Sequence, residues 1–310
     1  MQAYLGNWHK VSGFVPSSHS EPYPFISPSS ANLTGKSVLI TGSSKGIGRA
    51  IALSFARAGC SKIAIAARSS LLLSRTAEDI AAAAAEAGHP PPQTLEITAD
   101  VATESGAAHA ASRFVDAFGE AGGLDILVNN AGRAESFGSM TELSVDDYWA
   151  TWEVNVRGPY LVTRQMLGLL LKLDSGMRTV INVSSAGAHT LTPDIWGYQM
   201  SKFALCRFTE FLAQDYVNAG RGRGPGPGLV AISVHPGGVV TDMTADLPED
   251  WQPMLRDKPE LAADTIVWLV KERRDWLSGR FVSATWDMQE LEGRKSDIVN
   301  RDLLKFRLTV

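Results

Sequence analysis

A tyrosine and a lysine four residues apart have the spacing in this sequence that most clearly suggests chemistry. Tyr198 and Lys202 stand in the segment Tyr-Gln-Met-Ser-Lys, and residues at this spacing share one face of a helix. A free tyrosine has a pKa of about 10, so its phenol exchanges protons poorly near neutral pH. A neighbouring ammonium stabilises the phenolate and lowers that pKa. The spacing therefore predicts a proton-exchanging tyrosine, although ordinary amphipathic helices carry the same pattern.

Serine and asparagine side chains precede this pair at positions where they could meet it. Ser184 and Ser185 end a buried apolar run, and Ser185 stands thirteen residues before Tyr198. Open α/β sheets bind ligands at the carboxyl ends of their strands, and a hydroxyl there can hydrogen-bond a substrate oxygen as negative charge develops on it. Asn130 follows an earlier strand and Asn155 lies in a later helix, where each could equally be a structural amide.

A glycine-rich segment, Thr41–Gly48, predicts a nucleotide-binding loop. It reads Thr-Gly-Ser-Ser-Lys-Gly-Ile-Gly, directly after the first predicted strand and at the beginning of the first predicted helix. Glycines permit a tight turn and a close approach of pyrophosphate oxygens to backbone N–H groups, and the helix offers its positive end. Such glycines also close ordinary strand–helix turns, but their position at the head of a βαβ unit favours the nucleotide. The expected cofactor contacts are Gly42, Ser44, Lys45, Gly46, Ile47 and Gly48.

The end of the second predicted strand bears on the choice between the two nicotinamide cofactors. An NAD-binding unit usually places Asp or Glu about 20 residues beyond the loop, whereas this strand ends with Arg68 and Ser69. Arg68 can bind a 2′-phosphate with two N–H groups, Lys45 can add a second positive charge and Ser69 a hydroxyl. Asp100 and Val101, after the third strand, suit the adenine. These residues predict NADP(H); the alternative is that two surface cations happen to lie here.

Short β-branched segments alternate with longer helical patterns from residue 35 onward, and this alternation predicts parallel βαβ units in a doubly wound α/β sheet of the Rossmann type. Strands are predicted at Ser37–Ile40, Lys62–Ala66, Thr94–Thr98, Ile126–Val128, Thr179–Val183 and Leu229–Val234. Helices are predicted at Ile47–Ala58, Ser70–Ala87, Glu104–Phe118, Val145–Leu173, Gly197–Asn218 and Glu260–Lys271. We expect one domain over residues 35–290, an N-terminal arm over 1–34 and a C-terminal tail over 291–310.

Composition argues against several classes of protein. The chain has 310 residues, 45% of them hydrophobic, and a net charge of -4, so neither nucleic acid nor an anionic membrane is an expected partner. No apolar run approaches the ~18 residues of a membrane span. Cys60 and Cys206 stand in no metal or redox spacing and the six histidines form no metal-ligand pair, so no disulfide framework or metal site is predicted. We expect a soluble, cytoplasmic protein.

Together these motifs resemble the short-chain dehydrogenase/reductase family, in its branch of single-domain subunits. The resemblance covers roughly residues 35–279. The matching residues, in chain order, are the loop Thr41-Gly-x-x-x-Gly46-x-Gly48, Asp100, Asn129-Asn130-Ala131-Gly132, Asn155, Ser185, Tyr198-x-x-x-Lys202, Pro236-Gly237 and Thr241. By this resemblance Tyr198 is the acid/base, Ser185 orients the carbonyl and Lys202 binds the nicotinamide ribose. Asn155 would hold a water chain that links Lys202 to solvent.

The resemblance also implies further cofactor contacts and an assembly. Pro236, Gly237 and Thr241 would contact the nicotinamide and its carboxamide, and the remaining expected contacts are Asn130, Ala131, Gly132 and Val239. The reaction implied is hydride transfer between NADP(H) and a ketone or aldehyde, or a secondary alcohol. Two long helices, Val145–Leu173 and Gly197–Asn218, would pack against the same pair of a second subunit, as a homodimer or homotetramer.

Two departures from the family pattern point to fungal members. The segment Phe281–Met288 stands where the family usually has Asp-Gly-Gly, and the N-terminal arm is longer than the family minimum. A catalytically silent nucleotide-binding or scaffolding protein of the same fold is the alternative function. For the substrate, a polyketide or terpenoid ketone, a steroid-like ring and a sugar-derived carbonyl all stay open. An apolar and aromatic set is expected near the substrate: Phe137, Trp196, Trp251, Pro253, Met254 and Leu255.

Overall fold

Seven strands form one parallel sheet in the computed structural model of the chain, which describes residue 11 and residues 13–172, 176–216, 228–245 and 249–308. The strands are β1 (Ser37–Thr41), β2 (Lys62–Ala67), β3 (Gln93–Thr98), β4 (Ile126–Asn129), β5 (Thr179–Val183), β6 (Val230–His235) and β7 (Arg280–Ser283). Their spatial order is β3-β2-β1-β4-β5-β6-β7. The chain thus crosses from one side of β1 to the other between β3 and β4, which makes the sheet doubly wound.

Strands in the middle of the sheet are buried along their whole length because both faces are covered. Every residue of β1, β5 and β6 is buried, which is typical of parallel sheets with helices on both sides. The edge strand β3 differs, since only Leu95 and Ile97 are buried in it. Strand β1 pairs with β4 with Val38 opposite Ile126, so their carboxyl ends lie side by side.

Helices cover both faces of the sheet. They are α1 (Gly46–Arg57), α2 (Ser70–Glu86), α3 (Glu104–Phe118), α4 (Val145–Trp152), α5 (Gly158–Lys172), α6 (Trp196–Tyr216), α7 (Pro259–Val270), α8 (Met288–Gly293) and α9 (Lys295–Asn300). Helices α1, α2 and α7 bury Phe55 and Trp268 in the core on one face. Helices α3, α5 and α6 bury Phe114 and Leu212 on the other.

The Rossmann-type sheet predicted from the sequence is confirmed. Helix α3 and strand β5 begin and end at the predicted residues, and most of the other predicted elements differ by one or two residues at an end. Strand β7 and the short helices α8 and α9 were not predicted. The exception is the long helix predicted over Val145–Leu173, which is divided into α4, a π-helical turn (Glu153–Arg157) and α5. Pro159, in the first turn of α5, has no backbone N–H to continue the preceding helix. The π turn at this point contains Asn155, and such turns often occur at functional sites.

The described part of the predicted N-terminal arm packs against the C-terminal end of the chain. Ser18 forms an antiparallel bridge with Trp286, whose indole Nε1 donates to the carbonyl of Val11 at 2.6 Å. Glu290 accepts hydrogen bonds from both the backbone N–H and the hydroxyl of Ser17. These contacts hold the arm against the segment that follows β7. The division of the chain at residues 34 and 290 stays a prediction, and residues 1–10, 12, 309 and 310 lie outside the described residues.

Candidate active site

The loops that follow β1 and β4 are joined at the carboxyl edge of the sheet. The hydroxyl of Thr41 accepts hydrogen bonds from the backbone N–H groups of Asn130 and Ala131, both at 3.1 Å. Asn130 Nδ2 donates back to the carbonyls of Thr41 and Gly42, at 2.9 and 3.1 Å. The amide of Asn130 therefore ties two strands together, and it brings Ala131 and Gly132 beside the glycine loop.

The glycine loop is so tight that a side chain would not fit at Gly42 or Gly48. Gly42 and Gly46 have φ values of 66° and 54°, in the left-handed region that favours glycine. A Cβ on Gly42 would lie 2.7 Å from the Cα of Ala131, and one on Gly48 would lie 2.2 Å from the carbonyl oxygen of Gly42. The close backbone approach leaves a concave surface at the start of α1, where a phosphate group could be bound.

The cation of the glycine loop is engaged across the cleft. Lys45 Nζ forms an exposed ion pair with Asp242, which follows β6. Lys45 immediately precedes α1 but its side chain does not cap the helix, so the first N–H groups of α1 are available to an anion. Its neighbours Ser44 and Ile47 are both partly exposed. The ammonium of Lys45 thus has a carboxylate partner that competes with a 2′-phosphate.

The residues predicted to hold the adenosine half follow β2 and β3, on one side of β1. Arg68 is exposed after β2 and forms no ion pair with another described residue. Ser69 caps α2, because its hydroxyl accepts the backbone N–H three residues on at 3.4 Å. Asp100 accepts the backbone N–H two residues on at 3.0 Å, and Val101 is buried. The guanidinium of Arg68 is therefore the cation in this region with no competing carboxylate.

Tyr198 and Lys202 meet Ser185 on the other side of β1. Both lie at the beginning of α6, with Lys202 Nζ 5.6 Å from the centre of the Tyr198 ring. Lys202 is 4% exposed, and its Nζ donates to the carbonyl of Val183 at 2.9 Å. The Ser185 hydroxyl hydrogen-bonds the Tyr198 phenol. Ser184 points elsewhere, because its hydroxyl donates to the carbonyl of Lys202 at 3.1 Å.

Burial dominates the titration of these groups. Tyr198 is only partly exposed, and the loss of water around its phenol raises its pKa. The hydrogen bond from Ser185 acts against this rise, whereas the negative charge of Glu135 adds to it. Burial also lowers the pKa of Lys202 to about 8. The structure thus differs from the expectation that the ammonium sets the pKa of the tyrosine, because desolvation disfavours the charged form of both side chains.

Asn155 joins the loop after β4 to helix α6. Its Oδ1 accepts from the backbone N–H of Arg133 at 2.9 Å, and its Nδ2 donates to the carbonyl of Arg133 at 2.8 Å and to the hydroxyl of Ser201 at 2.9 Å. Asn155 Oδ1 and Lys202 Nζ both lie 3.5 Å from the position that a Cβ would take on Gly132. Both polar atoms of the Asn155 amide are therefore hydrogen-bonded, and the side chain connects the loop after β4 to α6 next to the buried ammonium.

The segment after β6 faces the glycine loop across the cleft. Pro236 and Val239 are buried, and Gly237 has a φ of 96°. Thr241 begins a short 3-10 turn, and its Cγ2 lies 3.4 Å from the position that a Cβ would take on Gly46. The residues predicted to contact the nicotinamide thus lie opposite those predicted to contact the pyrophosphate.

Aromatic side chains from two of these loops meet beside the catalytic residues. The rings of Phe137, after β4, and Trp251, after β6, pack edge to face with their centres 5.6 Å apart. The loop of Phe137 is joined to the segment before α6 by a hydrogen bond from Gly138 N to the carbonyl of Asp194, at 3.1 Å. Trp196, at the start of α6, is 41% exposed. Of the other predicted lining residues, Pro253 and Met254 belong to the 3-10 helix Glu249–Met254, and Leu255 follows it.

A family model of short chain dehydrogenases matches residues 36–252. The chain belongs to the short-chain dehydrogenase family. This short-chain dehydrogenase is 46% identical to the short chain dehydrogenase citE of Monascus ruber over 297 residues, which are 96% of this chain and 97% of its relative. It is 39% identical to the short chain dehydrogenase andI of Emericella variicolor, over 96% of this chain and 97% of that protein. The resemblance to fungal members is therefore confirmed, and with it an oxidoreductase family that uses nicotinamide cofactors.

Solved structures of the family have the same fold. A short-chain dehydrogenase/reductase of Mycobacterium marinum, 26% identical, superimposes with a TM-score of 0.69 over 81% of this chain and 94% of its own. A short chain dehydrogenase of Shigella flexneri, solved in complex with NADP and also 26% identical, gives a TM-score of 0.66 over 81% and 98% of the two chains.

Glu135 is a buried residue of this site that the sequence did not reveal. It lies in the loop after β4, is 3% exposed, and accepts a hydrogen bond from the backbone N–H of Tyr198 at 2.9 Å. The available signal was an acidic residue three positions beyond Asn129–Gly132, in a segment interpreted only for its Phe137. Spacing alone could not show that this carboxylate turns inward to the start of a helix 63 residues later.

The described residues contain neither a metal-binding cluster nor a membrane-spanning helix. No group of three or more histidine, cysteine or acidic side chains among them could hold a metal ion. None of the helices in the same part of the chain is long and apolar enough to cross a membrane.

Proposed function

We propose that this chain is an NADP(H)-dependent oxidoreductase that transfers a hydride between the nicotinamide and a ketone or aldehyde, or a secondary alcohol. The observation that carries the proposal is the meeting of Tyr198, Ser185 and Lys202 at the carboxyl edge of the sheet, beside the glycine loop. A proton donor, a hydroxyl that can orient a carbonyl and an ammonium are the groups that such a reaction requires.

The residues present fit a dinucleotide. A Cβ on Gly42 or Gly48 would collide with the backbone of Ala131 or Gly42, so these glycines allow the tight turn that precedes α1. The beginning of α1 offers N–H groups that its preceding side chain does not cap. On the same cleft, Pro236, Gly237, Val239 and Thr241 would contact the nicotinamide, and Asn130, Ala131 and Gly132 would border its ribose. Asp100 and Val101 would contact the adenine.

In the proposed reaction the chain supplies proton transfer and charge stabilisation, and bound NADPH supplies the hydride. Tyr198 gives its phenolic proton to the substrate oxygen as the carbonyl carbon is reduced. Ser185 hydrogen-bonds that oxygen and orients it. Lys202 stabilises the phenolate that forms when Tyr198 has lost its proton. Because burial lowers the pKa of this lysine to about 8, its own proton can exchange near neutral pH. Asn155 holds the backbone that surrounds the ammonium in place.

NADP(H) rather than NAD(H) is supported by charge. Arg68 follows β2 with no carboxylate beside it among the described residues, and its guanidinium can bind a 2′-phosphate bidentately. Ser69 can add a hydroxyl, and Lys45 a second cation once its pair with Asp242 opens. The relative from Shigella flexneri, which was solved with NADP, supports the same choice.

The test of the chemistry is Tyr198→Phe. We expect carbonyl reduction to fall by about 10²–10⁴-fold, because general acid catalysis is lost, while NADPH affinity changes little. A panel of aromatic and aliphatic carbonyl compounds, followed by NADPH absorbance, identifies a substrate for wild type, and a fluorescence titration measures NADPH binding.

Tyr216→Phe is the matched control, since Tyr216 is the last residue of α6, at the opposite end of the helix from Tyr198, and we expect it to keep wild-type turnover. Lys202→Ala should weaken both turnover and NADPH binding. Turnover by Tyr198→Phe within tenfold of wild type would contradict the assignment of the proton donor.

The proposed enzyme is a homodimer or homotetramer. Helices α4, α5 and α6 expose large apolar side chains to solvent, namely Trp149, Tyr160, Phe203 and Phe211, and exposed apolar surface of this kind is typical of interaction sites. A two-fold interface would bury the same side chains of both subunits. Light scattering at micromolar concentration should give two or four times the 33.4 kDa of one chain, and a monomer would contradict the assembly.

A further inference from the structure

A buried carboxylate from the loop after β4 contacts the backbone of the proposed proton donor. Glu135 Oε1 accepts the N–H of Tyr198 at 2.9 Å. Helix α6 begins at Trp196, so this N–H is one of the four at the helix start that have no acceptor within the helix. The carboxylate also lies at the positive end of the helix dipole. Helices are usually capped by a short polar side chain directly before them, whereas Glu135 lies 63 residues before Tyr198 in the sequence.

The second oxygen of the same carboxylate is buried against the first turn of α6. Glu135 Oε2 has no hydrogen-bond partner among the described residues. A Cβ on Gly197 would lie 3.0 Å from this oxygen and 3.0 Å from Cδ2 of Tyr148, so the glycine provides the space in which the carboxylate is held. Burying a charged oxygen without a partner is unfavourable, and a neutral side chain could cap the helix at a lower cost. The charge of Glu135 therefore needs an explanation of its own.

Two charged side chains of opposite sign act on the Tyr198 phenol. Lys202 approaches the ring from its own helix, with Nζ 5.6 Å from the ring centre. Glu135 approaches from the loop after β4, and its charge raises the pKa of Tyr198 in addition to the effect of burial. Ser185, after β5, faces the phenol with a neutral hydroxyl. Among the other charges on the neighbouring segments, Arg133 pairs with Asp147 on α4 and Lys45 pairs with Asp242 after β6. Asp194, two residues before α6, is exposed to solvent.

We propose that Glu135 is a positioning residue for Tyr198, which fixes the first turn of α6 through the Tyr198 N–H and by its charge keeps the phenol protonated. The inference rests on the function proposed above. A phenol held in its protonated form favours carbonyl reduction, in which Tyr198 donates a proton, over alcohol oxidation, in which it must accept one. The charge of Glu135 thereby acts in the same direction as burial of the phenol and against the hydrogen bond from Ser185.

The test separates the charge of Glu135 from its hydrogen bond. Glu135→Gln keeps a carbonyl oxygen for the Tyr198 N–H and removes the charge, and Glu135→Ala removes both. Glu142→Gln is the control, because Glu142 is an exposed carboxylate further along the same loop. Tyrosinate absorbance is followed against pH in the full-length protein, and the signal of Tyr198 is obtained by subtracting the same variant carrying Tyr198→Phe. Circular dichroism defines the pH range over which each protein is folded.

We expect tyrosinate of Tyr198 to form at a lower pH in Glu135→Gln than in wild type, because the negative charge that raises the pKa of this phenol is lost, and at an unchanged pH in Glu142→Gln. The acid limb of kcat for alcohol oxidation should move by the same amount. Glu135→Ala should show this shift and also lose a few degrees of Tm, because the helix start loses its acceptor.

Two results would overturn the proposal. One is a Glu135→Gln protein with lower kcat at every pH and neither midpoint displaced, which would make the residue a helix cap alone. The other is an equal displacement in Glu142→Gln, which would make the effect one of general surface charge. If Tyr198→Phe keeps its turnover, the proposed function fails, but the tyrosinate measurement still reports whether Glu135 acts on this phenol.

Discussion

The residues proposed to be catalytic and those proposed to select the cofactor lie at the same edge of the sheet, but they are held by different forces. Lys202 is 4% exposed and Asn155 is fully buried, and both are fixed by hydrogen bonds to backbone or side-chain groups. The side chains of Lys45 and Asp242 are 59% and 76% exposed, and only an ion pair joins them. On the buried side, position and desolvation determine the chemistry. On the exposed side, charge determines which cofactor binds, and salt weakens these charge interactions.

The largest effect is expected for the buried ammonium. Burial lowers the pKa of Lys202 from 10.5 to about 8, so the unfolded chain binds more protons than the folded one between these two values. Stability therefore rises with pH through this window, and the destabilisation is fully present below about pH 8. A difference of 2.5 pKa units corresponds to about 3 kcal/mol.

The measurement compares the free energy of unfolding of wild type and Lys202→Met, without cofactor, from pH 7 to 10.5. Tyr198 and the other groups that titrate in alkali are common to both proteins, so the difference isolates the lysine. We expect the free energy of unfolding of Lys202→Met to exceed that of wild type at pH 7, and this difference to disappear as the pH rises. A pH-independent difference would mean that Lys202 is not desolvated, and the contrast between the two sides would then be lost.

A smaller effect is expected on the exposed side, where Arg68 is proposed to bind the 2′-phosphate. Arg68→Ala should weaken NADPH binding at least tenfold and leave NADH binding almost unchanged, because a charge-assisted pair is worth about 1.5–3 kcal/mol. Titrations of both cofactors against both proteins at low and high salt measure this. Equal affinities of the wild type for the two cofactors, or an equal loss of both in the variant, would show that Arg68 does not select the phosphate.

The elements that could be predicted from the sequence are those whose signals lie within a few residues of each other. Helix α3 was predicted at its observed bounds because its signals are local: Thr103 caps its beginning, and Gly119, with a φ of 78°, ends it. Strand β5 was predicted because three of its five residues are Val or Ile, and β-branched apolar residues are typical of a buried parallel strand. The side chains proposed to be catalytic could be selected because they follow such strands or lie one helical turn apart.

What could not be predicted depends on contacts between residues far apart in the chain. The long helix is interrupted at Asn155, whose amide bonds to the backbone of Arg133, 22 residues earlier. Glu135 reaches a helix 63 residues later, and Lys45 pairs with Asp242 across 197 residues. Periodicity and capping signals extend over a few residues only, so no pattern in the sequence indicates these pairs.

The smallest effect is also expected on the exposed side, at the ion pair of Lys45 and Asp242. Lys45 was predicted as a second cation for the 2′-phosphate, but the structure engages it with a carboxylate from the opposite wall of the cleft. An exposed pair of this kind is weak because solvent screens it, so its loss can raise affinity for a phosphate by only a few-fold. Asp242→Asn should therefore bind NADPH about two- to fivefold more tightly than wild type, with little change for NADH.

The control for this prediction is the double variant Lys45→Met with Asp242→Asn, in which no ammonium is left to release. If Asp242 acts by holding Lys45, the gain in NADPH affinity disappears in the double variant, and in the single variant it shrinks as salt is added. A gain that persists without Lys45 would mean that Asp242 simply repels the phosphates of either cofactor. NADH would then also bind more tightly to Asp242→Asn, and cofactor selection would rest on Arg68 alone.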